Sequence, residues 1–266
     1  MMTEHEYRKH PAISRSELFK ISESPEKFKY YREHPEEPTP ALVFGQLFHA
    51  MALTPETVWE QFAVMPNADR RTKAGKEAFA EFEAQSEGKT IVSTDMVEQA
   101  TAMCEALNKN EFVKKLLKGE KEKPFFWVDE MTGIDCKCRT DCVVEIGDIP
   151  LIVDLKSATN ASTDVFIRDA IKHGYHMQAA MYSEGVKQNT GKEHGFVFVV
   201  IEKEPPYSIN ILQCDKLFLQ YGYDVFRECI GTYADCVKNN NFWGYLGRYN
   251  QINNLALPAY LAKEIE

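Results

Sequence analysis

The feature that most constrains this chain is a pair of charged motifs, Arg139-Thr-Asp141 and Asp154-Leu-Lys156, with Asp154 thirteen residues after Asp141. The second motif ends the apolar run 150–153, which has the composition of a buried strand. Because side chains alternate along a strand, Asp154 and Lys156 project from the same face. A carboxylate at the end of a buried strand is costly unless a cation compensates it. The pattern predicts a charged site at the end of a central strand.

The chemistry of these motifs suits a metal-dependent phosphodiesterase. Asp141 and Asp154 offer the hard oxygen ligands that Mg²⁺ prefers, and a hairpin would bring them onto neighbouring strands. Lys156 would then lie beside the water that the cation activates. The alternative is a purely structural role, in which Asp141 caps a turn and Asp154 pairs with Lys156 or Arg139. The combination of the three charges favours a nuclease.

Composition limits the class of protein. With 266 residues, of which 44% are hydrophobic and 12% aromatic, the chain can bury a substantial core and is not expected to be disordered. The net charge of −9 argues against a protein that coats DNA through a broad basic surface. It does not exclude a nuclease, because a site of carboxylates is acidic and basic residues can be confined to one groove.

The seven cysteines are odd in number and irregularly spaced, which is typical of reduced thiols and predicts a cytoplasmic protein. No apolar run approaches the roughly 18 residues of a membrane span, and we expect no membrane partner. Cys136, Cys138 and Cys142 could form part of a metal site. However, they lack a CxxC pair, and their even spacing favours one face of a strand.

The first 120 residues predict a mostly helical region. Ser14-Arg-Ser-Glu17 has the form of a capping box, and Ser24-Pro-Glu has the form of a second helix start. The proline-rich segment 35–40 predicts a turn. The predicted helices cover residues 14–21, 24–32, 41–53, 74–85, 94–108 and 111–118.

After Pro124 the pattern changes to strands. Thr132-Gly133 marks the turn of an antiparallel hairpin, and Gly147-Asp148 marks a second turn. The predicted strands are 125–128, 136–146, 151–155, 195–201 and 207–213, with a helical region 163–188 broken near Gly174 and a closing helix 216–238. We expect one α/β nuclease domain, 1–266, in which a helical elaboration (about 1–120) carries His49, a catalytic core spans about 121–240, and 241–266 form a tail.

Two further sites could carry chemistry. His49 follows Gly45 by one turn in an apolar helix, where a histidine is more often a core residue than a ligand, although imidazole is a competent ligand beside carboxylates. Gln178 and Tyr182 are four residues apart and share a helical face. In the structural interpretation, these residues form the polar side of an amphipathic helix. In the functional interpretation, they contact DNA phosphates or the nucleophilic water.

Four elements in fixed order, Gly45-xxx-His49, Asp141, Asp154-x-Lys156 and Gln178-xxx-Tyr182, resemble the RecB-like branch of the PD-(D/E)XK nuclease superfamily. The segments 13–18 (Ile-Ser-Arg-Ser-Glu-Leu) and 24–28 (Ser-Pro-Glu-Lys-Phe) are further similar to RecE-type exonucleases, the family of the C-terminal nuclease domain of exonuclease VIII and its phage or prophage homologues. The resemblance covers about residues 14–238. Asp141 lacks the preceding proline, a common variation in the superfamily.

The resemblance implies a restriction-endonuclease-like fold, with a mixed central sheet flanked by helices, and a role for each site residue. The implied ligands of Mg²⁺ or Mn²⁺ are His49, Asp141, Asp154 and the Leu155 carbonyl. Lys156 would orient or deprotonate the attacking water and stabilise charge at the scissile phosphate. Gln178 and Tyr182 would complete the catalytic set. The candidate DNA contacts are Arg139, Ser157, Tyr175, Gln178 and Tyr182.

The resemblance also implies a 5′-to-3′ exonuclease that acts on the ends of linear double-stranded DNA. Such an enzyme would form a ring-shaped homo-oligomer, with a tetramer favoured, and would supply single strands to an annealing protein for recombination. Two alternatives remain. One is a structure-specific endonuclease or a nuclease subunit of a larger complex. The other is a catalytically inactive DNA-binding or scaffold protein, which the intact Asp141, Asp154 and Lys156 disfavour.

Overall fold

The computed structural model describes residues 2, 4–250 and 252–257. The predicted tail therefore lies partly outside the described residues. The helices are α1 Glu4–Lys9, α2 Arg15–Glu23, α3 Pro25–Glu33, α4 Pro40–Leu53, α5 Val58–Gln61, α6 Lys73–Gln85, α7 Thr94–Lys109, α8 Glu111–Leu116, α9 Thr163–Lys172, α10 Tyr175–Thr190 and α11 Lys216–Asn239, with a short 3-10 turn at Pro55–Thr57. The strands are β1 Phe62–Val64, β2 Thr90–Val92, β3 Glu120–Val128, β4 Asp135–Ile146, β5 Ile149–Ala158, β6 Gly195–Glu202 and β7 Ile209–Gln213.

Strands β3 to β7 form one mixed sheet in chain order. The neighbours β3–β4, β4–β5 and β6–β7 are antiparallel, whereas β5 and β6 are parallel. Two parallel strands cannot be joined by a tight turn, and here α9 and α10 make the crossover between them. The fold is the predicted mixed α/β sheet flanked by helices.

Each face of the sheet carries its own hydrophobic core. One core packs α2, α9, α10 and α11 against side chains such as Ile152, Phe196 and Phe198. The other packs α4, α7 and α8 against the alternate side chains, among them Val153 and Leu155. Because both faces of β5 and β6 are covered, their sequences are continuous apolar runs and do not alternate between apolar and polar residues. The charged residues in the second half of β5 consequently lie on a strand that is covered on both faces.

Local sequence signals account for the helix boundaries near the site. At α2 the Ser14 N–H donates to Glu17 Oε2 at 2.9 Å, as the capping-box pattern predicts. The predicted break at Gly174 is confirmed, since this residue lies between α9 and α10 with φ of +67°. A Cβ at Gly174 would meet the Phe19 ring at 2.5 Å, so the turn requires glycine for both conformation and space.

The structure differs from the sequence predictions in several places. Strand β5 spans Ile149–Ala158 instead of 151–155, so Asp154 lies within the strand and not at its end. Strand β7 begins at Ile209, two residues after the predicted start. Strand β3 begins at Glu120, five residues before the predicted start at 125. A two-stranded parallel sheet, β1–β2, lies within the predicted helical region. Helix α1 precedes the first predicted helix. Short or strongly charged strands carry little hydrophobic periodicity, and pairing with a neighbour decides their conformation.

The three clustered cysteines do not share one face of β4, contrary to the prediction from their even spacing. Cys136 and Cys138 belong to the core beneath α10 and α11, whereas Cys142 belongs to the opposite core. The Cys142 thiol donates to the Leu116 carbonyl at 3.4 Å. Burial raises the pKa of Cys142 to about 11, so this thiol is uncharged.

None of the helices in the described ranges has both the length and the apolar character that a membrane crossing requires.

Candidate metal-dependent active site

The candidate site lies where β4 and β5 separate. Their antiparallel pairing ends at Cys142 opposite Val153. Asp141 and Asp154 are the next residues beyond that pair, so the two predicted carboxylates come to the same opening in the sheet. The Leu155 N–H, which no longer pairs with the β4 backbone, donates to Asp141 Oδ2 at 2.7 Å. N–H and C=O groups of one residue point to the same side of a strand, so the Leu155 carbonyl also faces this opening.

Asp154 is the most buried of the charged groups, with 1% of its surface exposed. One carboxylate oxygen accepts from the Lys156 ammonium and the other from the Gln178 side-chain amide. Burial raises the pKa of Asp154 to about 6, against the opposing effect of the Lys156 charge. The site therefore holds a desolvated carboxylate that a further cation would stabilise.

Asp141 has the opposite electrostatic balance. Its Oδ2 atom lies 3.5 Å from His49 Nδ1, which α4 brings to the sheet opening. Burial acts to raise the pKa of Asp141, but the His49 imidazole, the Lys156 charge and the Leu155 N–H together lower it. In the same pair, burial acts to lower the pKa of His49, and the Asp141 carboxylate raises it instead. Each of the two groups thus favours the charged form of the other.

Lys156 projects from the same face of β5 as Asp154, as the strand period predicts. Its Nζ lies 4.7 Å from the centre of the Tyr175 ring and 5.9 Å from that of Phe198. Burial acts to lower the pKa of Lys156, but the carboxylates of Asp154 and Asp141 raise it. The ammonium is therefore held charged, between the aromatic rings and Asp154.

The predicted helix-face pair lies against this site. Gln178 is 5% exposed and connects Asp154 to Arg15, whose Nη2 donates to Gln178 Oε1 at 3.1 Å. Burial raises the pKa of Tyr182 well above its ordinary value, and the charges of Asp154 and Asp141 act in the same direction. The Tyr182 phenol accordingly stays protonated and can act as a hydrogen-bond donor.

The remaining predicted DNA contacts occupy different positions. Tyr175 begins α10 and packs on Phe166 as well as on Lys156, so it already supports the lysine. Ser157 follows Lys156 on β5 and by alternation points to the opposite face of the sheet. Arg139 lies near the site, where its Nε pairs with Glu122 Oε2 at 2.7 Å. Their contact with DNA stays a prediction.

Sequence reasoning missed two residues, Glu122 and Arg15. Glu122 lies on β3 opposite Asp141, in the charged stretch before the predicted start of that strand. Burial raises the pKa of Glu122 to about 7, and the neighbouring Asp141 carboxylate adds to the effect. The charged stretch 118–124, taken as the part of the hairpin that pairs with β4, would have indicated Glu122. Nothing local to Arg15 indicated its contact, because the partner is 163 positions away.

The donor set fits a divalent cation. Ligand atoms of His49, Glu122 and Asp141 all lie within 4.8 Å of one another. Asp154 is not part of this group, although its charge acts on the pKa values of His49 and Glu122. Carboxylate oxygens with one imidazole suit Mg²⁺ or Mn²⁺. The residues that could hold the ion are Asp141, Asp154, His49 and Glu122, with the Leu155 carbonyl beside them.

The sequence profile of the PDDEXK-like domain of unknown function (DUF3799) matches residues 14–253. The chain belongs to this family. The family match spans both the helical region that carries His49 and the sheet that carries the carboxylates. The mixed sheet with helices on both faces is the PDDEXK-like nuclease fold, whose members use divalent metals.

A solved structure of low sequence identity shares the fold of this chain. A provisionally assigned exonuclease from Eubacterium rectale is similar over 98% of this chain and 98% of its own, with a TM-score of 0.60 and 16% identity. At that identity the likeness shows the fold alone. The alignment with the structure of the protein SSO0001 covers 86% of this chain and 80% of that chain at 13% identity. Its TM-score of 0.39 is too low to indicate a shared fold. No curated protein matches the sequence.

Proposed function

We propose that this PDDEXK-like protein is a Mg²⁺-dependent exodeoxyribonuclease of the RecE type, which hydrolyses linear double-stranded DNA from its ends. The observation that carries the proposal is the buried Asp154 carboxylate, paired with Lys156 at the same sheet opening as Asp141 and His49. A structural ion pair alone would not require four titratable groups to meet where two strands separate. Mn²⁺ would serve in place of Mg²⁺.

The chain's own residues would divide the work as follows. Asp141, Asp154, His49 and the Leu155 carbonyl would hold the cation, and Glu122 lies within reach of the same position. When bound, the metal supplies an activated water and neutralises charge on the reacting phosphate. The charged Lys156 ammonium stabilises the negative charge that develops at the phosphate. Gln178 and Tyr182 donate hydrogen bonds that orient Asp154 and the phosphate backbone.

The preference for DNA ends rests on the resemblance to RecE-type enzymes and on charge. The exonuclease assignment of the similar Eubacterium rectale protein points the same way. With a net charge of −9 the chain cannot hold long duplexes by a broad basic surface. We therefore propose a closed homo-oligomer, a tetrameric ring being favoured, which turns its basic residues towards the DNA. Digestion from 5′ to 3′ would then supply single strands to an annealing protein for recombination.

The decisive experiment is digestion of a linear duplex labelled at either 5′ end, with a covalently closed circle of the same sequence in parallel. We expect loss of label from linear DNA with Mg²⁺ or Mn²⁺, no loss with excess chelator, and an intact circle. Ca²⁺ should support binding with little cleavage. Activity that persists in excess chelator would contradict the metal assignment.

The same assay tests the alternatives. Nicking of the closed circle would favour a structure-specific endonuclease or a subunit of a larger machine. Duplex binding with no cleavage under any metal would favour an inactive DNA-binding protein. Light scattering at micromolar concentration tests the ring: we expect a species larger than a dimer, and a strict monomer that digests kilobases in one binding event would refute it.

A further inference from the structure

Arg15 reaches the candidate active site from the N-terminal helices. It is the first residue of α2, and its two terminal nitrogens make two hydrogen bonds across the junction of α9 and α10. Nη2 donates to Gln178 Oε1 at 3.1 Å, and Nη1 donates to the His173 carbonyl at 3.1 Å. His173 directly follows α9 as its C-cap, and Gly174 separates it from the start of α10. Arg15 thus joins an element outside the sheet to the helix that carries Gln178.

The backbone that carries Arg15 is itself anchored. The Ile13 N–H donates to the Asp135 carbonyl at 2.8 Å, and the Lys137 N–H donates to the Ile13 carbonyl at 2.9 Å. Both partners lie on β4. The capping box at Ser14 then starts α2 at a defined position. The guanidinium is therefore directed at Gln178 by the sheet that also carries Asp141.

Hydrogen-bond chemistry decides the orientation of the Gln178 amide. The two ends of an amide are nearly equal in size but opposite in character, one accepting and the other donating. A guanidinium can only donate, and an ionised carboxylate can only accept. The oxygen of Gln178 must therefore face Arg15 while its NH₂ group faces Asp154, as observed. A flipped amide would set two donors together and two acceptors together.

We propose that Arg15 is a positioning residue, which fixes the Gln178 amide so that it donates to Asp154. This inference rests on the proposed role of Asp154 as a metal ligand. Gln178 and Lys156 each bind one oxygen of the Asp154 carboxylate, so that the plane of the carboxylate is set before a cation arrives. Without Arg15 the Asp154 carboxylate alone orients the amide, so the hydrogen bond from Gln178 to the buried Asp154 oxygen is held less firmly.

Arg15→Met tests the inference because it keeps an unbranched side chain that can pack like the arginine stem and removes the hydrogen-bond donors. Arg71→Met is the matched control, since the Arg71 side chain is 91% exposed and pairs with Asp69, two residues away. We expect Arg15→Met to weaken Mn²⁺ binding in calorimetry, and to slow single-turnover cleavage, by about tenfold, the factor that a hydrogen bond to a charged group is worth. The KM for DNA should stay within about threefold of wild type. Arg15→Lys should restore part of both losses.

Two readouts separate positioning from a general structural role. The side-chain amide resonance of Gln178, assigned by its absence in Gln178→Ala, should move in Arg15→Met while the remaining spectrum stays dispersed. In a double-mutant cycle, Arg15→Met should weaken Mn²⁺ binding no further once Gln178 is alanine. If Arg15→Met does not fold, the same cycle is measured with Arg15→Lys.

Several results would overturn the proposal. Additive losses of Mn²⁺ affinity in the cycle would mean that Arg15 does not act through Gln178. A raised KM with unchanged turnover would mean that Arg15 contacts DNA directly. Unchanged Mn²⁺ affinity would also contradict it. Metal binding and the amide resonance can be measured without DNA cleavage. A wild-type protein that cuts no DNA would therefore contradict the proposed exonuclease function, whereas the coupling between Arg15 and Gln178 would still be tested by these two measurements.

Discussion

Glu122 of β3 and Asp141 of β4 lie opposite each other, between the cross-strand pairs Lys121–Cys142 and Lys123–Thr140. Glu122 has a φ of +50°, a conformation that residues other than glycine seldom adopt. Two carboxylates held side by side away from water disfavour full ionisation, and the pKa of Glu122 is raised to about 7. The Arg139 guanidinium beside Glu122 and the His49 imidazole beside Asp141 offset part of the cost of this acidic pair.

The first prediction concerns the pH dependence of the metal-free protein. The folded pKa of Glu122 is about 7, above its ordinary value, so the folded state binds its proton more tightly than the unfolded state. Stability must then fall as the pH rises from about 4.3 to 7. Glu122→Gln should remove up to about 3 kcal/mol of that loss. Urea unfolding in chelator at pH 5 and pH 8 measures it.

Glu120→Gln is the control for that measurement, because Glu120 lies on the same strand with its side chain 66% exposed. Its pH dependence should match that of wild type. If Glu122→Gln and wild type lose equal stability between pH 5 and pH 8, the Glu122 carboxylate is not desolvated in the way described.

The second prediction concerns Lys156→Ala. Removal of the ammonium should lower turnover by about 10²-fold or more, because a charge that stabilises the reacting phosphate is lost. Mn²⁺ binding in calorimetry should be largely retained, since the lysine is not a ligand. Asp154→Asn should damage both turnover and metal binding, and Lys172→Ala, an exposed change on α9, should alter neither. Equal loss of metal in Lys156→Ala and Asp154→Asn would make Lys156 a structural counter-charge.

The third prediction concerns the ion pair between Asp129 and Arg227, which ties the β3–β4 hairpin to α11. Burial acts to raise the pKa of Asp129, but Arg227 and Thr132 lower it overall. The pair therefore stabilises the fold above the unfolded pKa of about 3.9, and this contribution is lost as the pH falls through the lower folded pKa. Asp129→Asn should destabilise by about 2 kcal/mol at pH 7. In urea unfolding the difference should shrink below about pH 3.9, and a constant difference down to pH 3 would contradict it.

The fourth prediction compares two glycines on α11. A Cβ at Gly222 would lie 2.0 Å from the His176 carbonyl oxygen, whereas nothing lies within 4 Å of a Cβ at Gly231. Gly222→Ala should therefore force α10 and α11 apart and destabilise the protein by about 3 kcal/mol. Gly231→Ala should be neutral or stabilise by up to about 1 kcal/mol. Thermal unfolding of both variants is the measurement, and equal melting temperatures would show that the helices are not in close contact.

Much of the fold could be predicted from local signals. The apolar runs of β5 and β6, the break at Gly174 and the closing helix α11 follow from hydrophobic pattern and turn residues, which act over a few positions. The same local logic placed Asp154 and Lys156 on one face of β5. It failed for the even-numbered cysteines of β4, which are divided between the two cores.

The sequence by itself determined which chemistry is available: the paired aspartates, the lysine after the second, and the order of His49, Gln178 and the carboxylates. Only the tertiary structure decided which groups meet. Glu122 entered the site because β3 starts early and pairs with β4, and Arg15 entered it through a contact 163 positions along the chain. Such contacts depend on strand register and helix packing, which the whole chain sets together, so no local pattern encodes them.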